Sequence, residues 1–176
     1  MKRTVIGVAA VFFGLIGPVK AEVSTNPNFS GFGDRHAIYT KAKSFEGMQQ
    51  HKNRKQLKNF MKVDPVQIPW CAAFVGAVLQ TFGLPTTNSL TAMSYAKYKK
   101  ETKKPEKGDI VVIRRNGGSG AHVGFFNGFK NGGKTVSILG GNQSNKVKIT
   151  DVPTSIVISY RKVEPVTIPV IYSQVL

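Results

Sequence analysis

The spacing of apolar residues changes at Gly108, where a helical pattern gives way to a strand pattern. Before Gly108, apolar residues recur at helical intervals or in one long run, and this predicts helices over residues 36–45, 52–61, 71–82 and 89–98. After it, short apolar segments are separated by glycine, asparagine and proline turns, and this predicts strands over residues 109–114, 121–128, 134–139, 146–151 and 156–162. Helices followed by an antiparallel meander of strands indicate an α+β fold.

The helix over residues 71–82 is the most apolar helical stretch after the N-terminal segment, and it opens on Cys71, the only cysteine of the chain. Pro69 prevents the helix from extending backwards, and Gly83 and Pro85 end it. Unpaired N–H groups at a helix N-terminus lower the pKa of a thiol, so a cysteine placed there can act as a nucleophile. A small buried core residue is an equally good interpretation, because free cysteine is among the most buried residue types.

The chain of 176 residues is long enough for one domain with its own core. Residues 1–21 read as a signal peptide or an N-terminal hydrophobic anchor, because Lys2 and Arg3 precede an apolar run and a small-residue cleavage site. Residues 22–35 are expected to form a polar arm, residues 36–162 the folded domain, and residues 163–176 an extended tail. The expected location is therefore exported, either periplasmic or extracellular.

The chain is strongly basic, with 25 Lys and Arg against nine Asp and Glu and a net charge of +16. Residues 1–21 hold three of the basic residues and none of the acidic ones, so the remainder carries +13. Such a charge indicates an anionic partner, and an exported protein meets anionic cell-wall polymers or phospholipid head groups. Solubility alone is the simpler explanation. Nucleic acid is not expected, because the sequence lacks the usual nucleic-acid-binding signatures, and the dispersed histidines predict no metal site.

His122 begins the second predicted strand, directly after a glycine-rich loop. By itself it is read most simply as an edge histidine with ordinary partners. A hairpin turn centred on Gly132 changes this interpretation, because it places Asn142 directly across from His122. An Asn oxygen in that position can accept the proton of one imidazole nitrogen and leave the other nitrogen to face a thiol.

Four short motifs, in this order along the chain, carry a family resemblance. They read WCAAFV at residues 70–75, PEKGDIVV at 105–112, AHVG at 121–124 and GGNQ at 140–143. Together they resemble the NlpC-type and CHAP-type papain-like cell-wall hydrolases, most closely the exported or phage-borne branch. The resemblance covers residues 42–160, and Trp70 replaces the Asp that precedes the cysteine in many members.

The resemblance implies a papain-like α+β domain over residues 36–162, with N-terminal helices and the cysteine-bearing helix packed on an antiparallel sheet of about five to six strands. It implies that Cys71 is the nucleophile, His122 the general base and then acid, and Asn142 the orienting residue. Peptidoglycan or another anionic cell-wall polymer is the implied partner, and no cofactor is needed. Two further hypotheses make Trp70 a wall of the substrate cleft and Gln143 a hydrogen-bond donor to substrate.

Two other functional classes fit the same features. A non-catalytic basic module would bind the cell wall, or a membrane with help from the N-terminal segment, and would be indifferent to Cys71. A papain-like acyltransferase would use the same thiol with an acceptor other than water.

Overall fold

The computed structural model describes residues 34–115 and 120–164, which form an α+β domain and confirm the predicted fold class. Three α-helices come first: α1 (Arg35–Lys43), α2 (Arg54–Met61) and α3 (Cys71–Thr81). Five strands follow: β1 (Ile110–Arg114), β2 (Ala121–Lys130), β3 (Thr135–Gly140), β4 (Lys148–Pro153) and β5 (Val157–Arg161). The predicted signal peptide or anchor, almost all of the polar arm and nearly the whole tail lie outside the described residues.

The fourth predicted helix, over residues 89–98, is present but shorter than predicted. The structure has a 3-10 helix over Ala92–Lys97. The hydroxyl of Ser94 donates to the carbonyl of Thr91 at 2.7 Å, a local bond that competes with regular helix pairing. Tyr98, just past the end, donates its hydroxyl to the carbonyl of Pro85 at 3.0 Å and holds the segment against the preceding loop.

The sheet is antiparallel throughout, but its strand order is β4-β3-β2-β1-β5 and corrects the predicted simple meander. β5 pairs with β1, with Ile110 opposite Arg161, and not with β4. Only Thr154–Ile156 separate β4 from β5, and such a connection reaches about 14 Å. Because the outer strands of a flat five-stranded sheet lie about 19 Å apart, the sheet has to curl until β4 and β5 approach each other.

The curled sheet separates two apolar cores. The outer core lies between the helices and the convex face; its members include Ile38, Leu57, Phe74, Ile110, Val123, Phe125 and Leu139. The inner core fills the concave face and draws on all five strands; it consists of Val111, Ile113, Phe126, Val136 and Ile138, with Val152, Ile156, Val157 and Tyr160 at its margin. Alternate residues of each strand therefore point to different cores.

Asp109, fully buried before β1, connects three separate parts of the domain. Its Oδ2 accepts the N–H of Glu106 and its Oδ1 accepts the N–H of Val163, each at 2.9 Å. Arg35 of α1 lies 3.8 Å from the same carboxylate. Burial raises the pKa of Asp109. The residue therefore closes the turn before β1 and also fastens the chain that leaves β5.

Replacing Asp109 with alanine is expected to lower the free energy of unfolding by about 3 kcal/mol, because two N–H groups lose their acceptor and each loss costs about 1–3 kcal/mol. Asp109→Asn keeps one acceptor oxygen and should cost less. Urea denaturation of both variants measures this difference. An Asn variant as unstable as the Ala variant would assign the loss to the charge facing Arg35, and not to the N–H acceptors.

Candidate active site

Cys71 is the first residue of α3, as the sequence predicts. Trp70 is the N-cap, and its side chain makes no hydrogen bond to the helix. The first N–H groups of α3 therefore have no side-chain cap. Their partial positive charge lies at the thiol. The thiol is free and only 3 % exposed, and its side chain belongs to the outer core. The structure thus combines the two interpretations of Cys71, a helix-start thiol and a buried core residue.

Trp70 fixes the position of this helix start against the end of β3. Its indole is fully buried, donates Nε1–H to Oε1 of Gln50 at 3.1 Å, and packs edge-on against Phe74. A Cβ placed on Gly141 would lie 2.5 Å from ring atom Cζ3 of Trp70. Its role as a cleft wall stays a prediction; in the structure Trp70 is a packing residue that requires a glycine at position 141.

His122 lies at the start of β2 and faces the inner side of the curled sheet. It pairs with Ile113 of β1, a member of the inner core. His122 is 6 % exposed, and its Nε2 has no hydrogen-bond partner among the described residues. A Cβ on Gly140 would lie 3.0 Å from that nitrogen. The backbone of Gly140 therefore packs against the imidazole ring.

The surroundings of His122 keep its imidazole neutral at pH 7. Burial, with a smaller contribution from the positive charge of Arg115, lowers the pKa of His122 to about 4. A neutral ring retains a nitrogen lone pair that can accept a proton, which is what a general base needs.

The pairing of β2 with β3 bears directly on Asn142. Next to the turn, Gly128 pairs with Ser137. This pairing is shifted by one residue from the one predicted for a hairpin centred on Gly132. A bulge between Phe126 and Gly128 then shifts the register, and Phe126 pairs with Ile138. Continued past the end of β3, this register places Asn142 across from His122. Asn142 has a left-handed backbone with φ 59°, and its side chain does not bond to Nε2 of His122.

The amide of Gln143 is occupied within its own loop. Its Nε2 donates to the carbonyls of Ile138 and Gly140, each at 3.3 Å, and to the carbonyl of Lys148. The backbone N–H of Gln143 donates to the carbonyl of Lys146 at 2.9 Å. These bonds stabilise the turn between β3 and β4. Its role as a donor to substrate stays a prediction.

The structure brings three of the five predicted residues to one cavity. His122, Asn142 and Gln143 line a space of about 620 Å³ at the open end of the curled sheet. Cys71 packs in the outer core instead. Trp70 contacts one side of the Gly140–Gly141 segment and His122 the other, so the helix start and the histidine meet at the same two glycines, on opposite faces.

Sequence reasoning missed the basic side of this cavity. Arg114 ends β1 and Arg115 follows it, Lys148 begins β4, and Thr150 lies two residues further on; all four line the space. The Arg-Arg pair beside the glycine-rich loop was a usable signal. Lys148 was not, because nothing local indicates that β4 curls back towards β1.

Gly141→Ala is expected to destabilise the domain by about 1–3 kcal/mol, because the new methyl group would overlap the Trp70 ring and the Cβ of Phe74, and overpacking has costs of this size. Urea denaturation of Gly141→Ala, Trp70→Leu and the double variant tests the cause. A smaller side chain at position 70 should make the Gly141 substitution less costly, with only the overlap with the Cβ of Phe74 remaining. Strictly additive losses would mean that the Trp70 ring is not what excludes the methyl group.

Comparison with known proteins finds a similarity to one family model. The model of the CHAP domain matches residues 63–142, which begin just before α3, include β1, β2 and β3, and end at Asn142. No curated protein sequence matches the chain significantly. Within residues 34–115 and 120–164, no helix has both the length and the apolar character needed to cross a membrane. The same residues contain no cluster of three or more His, Cys, Asp or Glu able to hold a metal ion.

Proposed function

Because residues 63–142 match the model of the CHAP domain, which is typical of cysteine- and histidine-dependent peptidoglycan amidases and peptidases, we propose that this chain hydrolyses amide bonds in peptidoglycan peptides. Cys71 is the nucleophile, His122 the general base and acid, and Asn142 the residue that orients the ring. The observation that carries the proposal is the position of Cys71: the only thiol of the chain begins a helix whose N-cap side chain leaves the first N–H groups free.

The reaction proceeds in two steps with Cys71 acylated between them. Neutral His122 takes the thiol proton, and the thiolate attacks the carbonyl carbon of the scissile amide. Backbone N–H groups at the start of α3 stabilise the negative oxygen that forms. Protonated His122 then gives its proton to the leaving amine as the C–N bond breaks. In the second step His122 deprotonates water, which attacks the thioester and releases a carboxylic acid and the thiol.

The histidine and the thiol have to meet in the substrate complex. Cys71 and His122 lie on opposite faces of the Gly140–Gly141 segment, and catalytic hydrogen bonds often form only once substrate is bound. In our proposal the ring reaches the thiol past the edge of this segment, and Asn142 then accepts the proton on the other ring nitrogen. The glycines allow this approach, since they carry no side chains.

The partner and location follow from charge and from the N-terminal segment. The net charge of +16 suits a polyanionic cell wall. Residues 1–21 would direct export to the periplasm or the outside of the cell, or would hold the protein at a membrane surface.

Digestion of purified peptidoglycan by the full chain tests the proposed function. Mass spectrometry of the soluble fragments should find new amine ends, and their masses name the bond that is cut. Heat-denatured protein is the matched control. A chain that sediments with peptidoglycan but releases no new amine ends is a binding module, and transfer of the acyl group to an added amine without hydrolysis would identify an acyltransferase.

A further inference from the structure

The cavity beside His122 is basic on one side and contains no acidic residue among its described lining residues. Arg114 and Arg115 contribute from the end of β1 and Lys148 from β4. At about 620 Å³ it has the size of a small-molecule site. It lies at the mouth of a curled sheet, where β-barrel proteins commonly bind ligands.

The positive charges of this cavity are not neutralised within the described residues. Elsewhere in that part of the chain, Arg35, Arg54, Lys130 and Arg161 each pair with a carboxylate. Arg114, Arg115 and Lys148 form no salt bridge there; Lys148 donates only to the hydroxyl of Ser144, at 3.2 Å. An anionic ligand would therefore not have to displace a carboxylate of the described domain.

Two buried polar atoms of the cavity wall also lack partners within residues 34–115 and 120–164. They are Nε2 of His122, on a side chain that is 6 % exposed, and Oγ1 of Thr150. Buried polar groups nearly always have a hydrogen-bond partner, and leaving one unpaired is unfavourable. A carboxylate in the cavity would give the hydroxyl of Thr150 the partner that the described residues do not supply.

We propose that this cavity binds a free carboxylate of the peptide substrate, held by Arg115 and Lys148 and hydrogen-bonded by the hydroxyl of Thr150. The planar guanidinium favours a carboxylate because it can donate two parallel hydrogen bonds to it. The identity of the ligand as substrate rests on the proposed function. On that basis the protein prefers amide bonds close to a free peptide carboxylate over the same bonds in stretches where the carboxylates are amidated or crosslinked.

Binding by the full-length Cys71→Ala protein, which leaves the peptide intact, tests this assignment. The probes are a synthetic stem peptide with a free C-terminal carboxylate and the same peptide as a carboxamide, titrated calorimetrically at one salt concentration. The carboxamide should bind about tenfold more weakly, as expected for losing a hydrogen-bonded charge. Arg115→Gln should weaken the acid peptide by about the same factor and leave the carboxamide unchanged.

Lys55→Gln is the matched control, because it removes one positive charge from an exposed position on α2 outside the cavity. It should change the affinity for the acid peptide by less than about twofold. Equal affinity for the acid and the carboxamide would overturn the proposal, and so would equal weakening by Arg115→Gln and Lys55→Gln. Tighter binding of glycerol phosphate than of the acid peptide would also overturn it and would assign the cavity to phosphate.

The peptidoglycan digest separates this assignment from the proposed function. If the chain binds the free carboxylate through Arg115 but cuts no peptidoglycan, the cavity assignment holds. The proposed hydrolase function is then excluded. Digestion that proceeds equally well with wild type and Arg115→Gln, on acid and amidated peptides alike, would remove only the cavity assignment.

Discussion

Replacing Cys71 with alanine is expected to abolish the release of new amine ends from peptidoglycan, with a rate loss on the order of 10⁴-fold or more. The chain has no second cysteine that could take over, and an unassisted water attack lacks the acyl-enzyme route. Initial rates of amine release from the two proteins measure the effect. The folded state should survive, because the substitution removes one sulfur atom from a site already shared with small residues such as Ala72 and Ala73.

The Cys71→Ala variant also separates catalysis from wall binding. Co-sedimentation with peptidoglycan should be the same for wild type and variant, because the basic surface is untouched. Amine release at the wild-type rate by Cys71→Ala would exclude the thiol as nucleophile. A variant that neither binds peptidoglycan nor folds, as judged by its thermal unfolding curve, would instead show that Cys71 serves mainly as a core residue.

Replacing His122 with glutamine is expected to slow hydrolysis by roughly 10²–10⁴-fold, the usual contribution of a general acid and base. Stability at pH 7 should change little by comparison, because Nε2 of His122 makes no hydrogen bond that the substitution could break. Amine release and urea denaturation on the same preparations test the two statements together. A variant that keeps its activity would end the catalytic role of His122.

The same substitution should remove a dependence of stability on pH. In the folded protein the pKa of His122 is lowered to about 4, whereas in the unfolded chain it is about 6.5. Between these values the unfolded chain binds a proton that the folded protein does not, so wild type loses stability as the pH falls from about 6.5 to 4. The loss attributable to this group is about 3 kcal/mol. His122→Gln should lack this part of the decline.

Urea denaturation of both proteins at pH 7, 5.5 and 4.5 measures the difference. Carboxylates such as Asp64, whose pKa Arg54 lowers to about 2, titrate alike in both proteins and cancel in the comparison. Parallel stability curves for wild type and His122→Gln would mean that the ring is not kept neutral by its surroundings. His122→Ala, which removes the same group without adding an amide, should give the same flattening.

The start of α3 was predictable because its signals are local. Pro69 cannot continue a helix backwards, and Gly83 ends one, so the position of Cys71 followed from its immediate neighbours. The register that sets Asn142 across from His122 was predicted with the wrong turn geometry. The bulge before Gly128 restores it, and next to the bulge Asn127 accepts a hydrogen bond from the hydroxyl of Tyr39 on α1 at 2.6 Å. The rules that relate turn geometry to hairpin register take no account of a contact with a distant helix.

The position of β5 was not predictable from local pattern. An alternating strand specifies which of its faces is buried, but not which neighbouring edge it joins. Two apolar cores on opposite faces of one sheet make both residue sets of a strand look buried, as β1 shows with Val111 in the inner core and Val112 in the outer. For the same reason the sequence could not indicate that His122 and Cys71 point to different cores.

The pairing of β5 with β1 also determines how this protein can form on the ribosome. Hairpins β1–β2, β2–β3 and β3–β4 can assemble in turn as they emerge, since each joins neighbouring segments. One edge of β1 and the whole inner core stay uncovered until residues 157–161 have been made. A nascent chain stalled before that point exposes an unpaired strand edge beside an apolar concave surface, a combination that favours aggregation. The curled sheet is consequently complete only after β5 has joined β1.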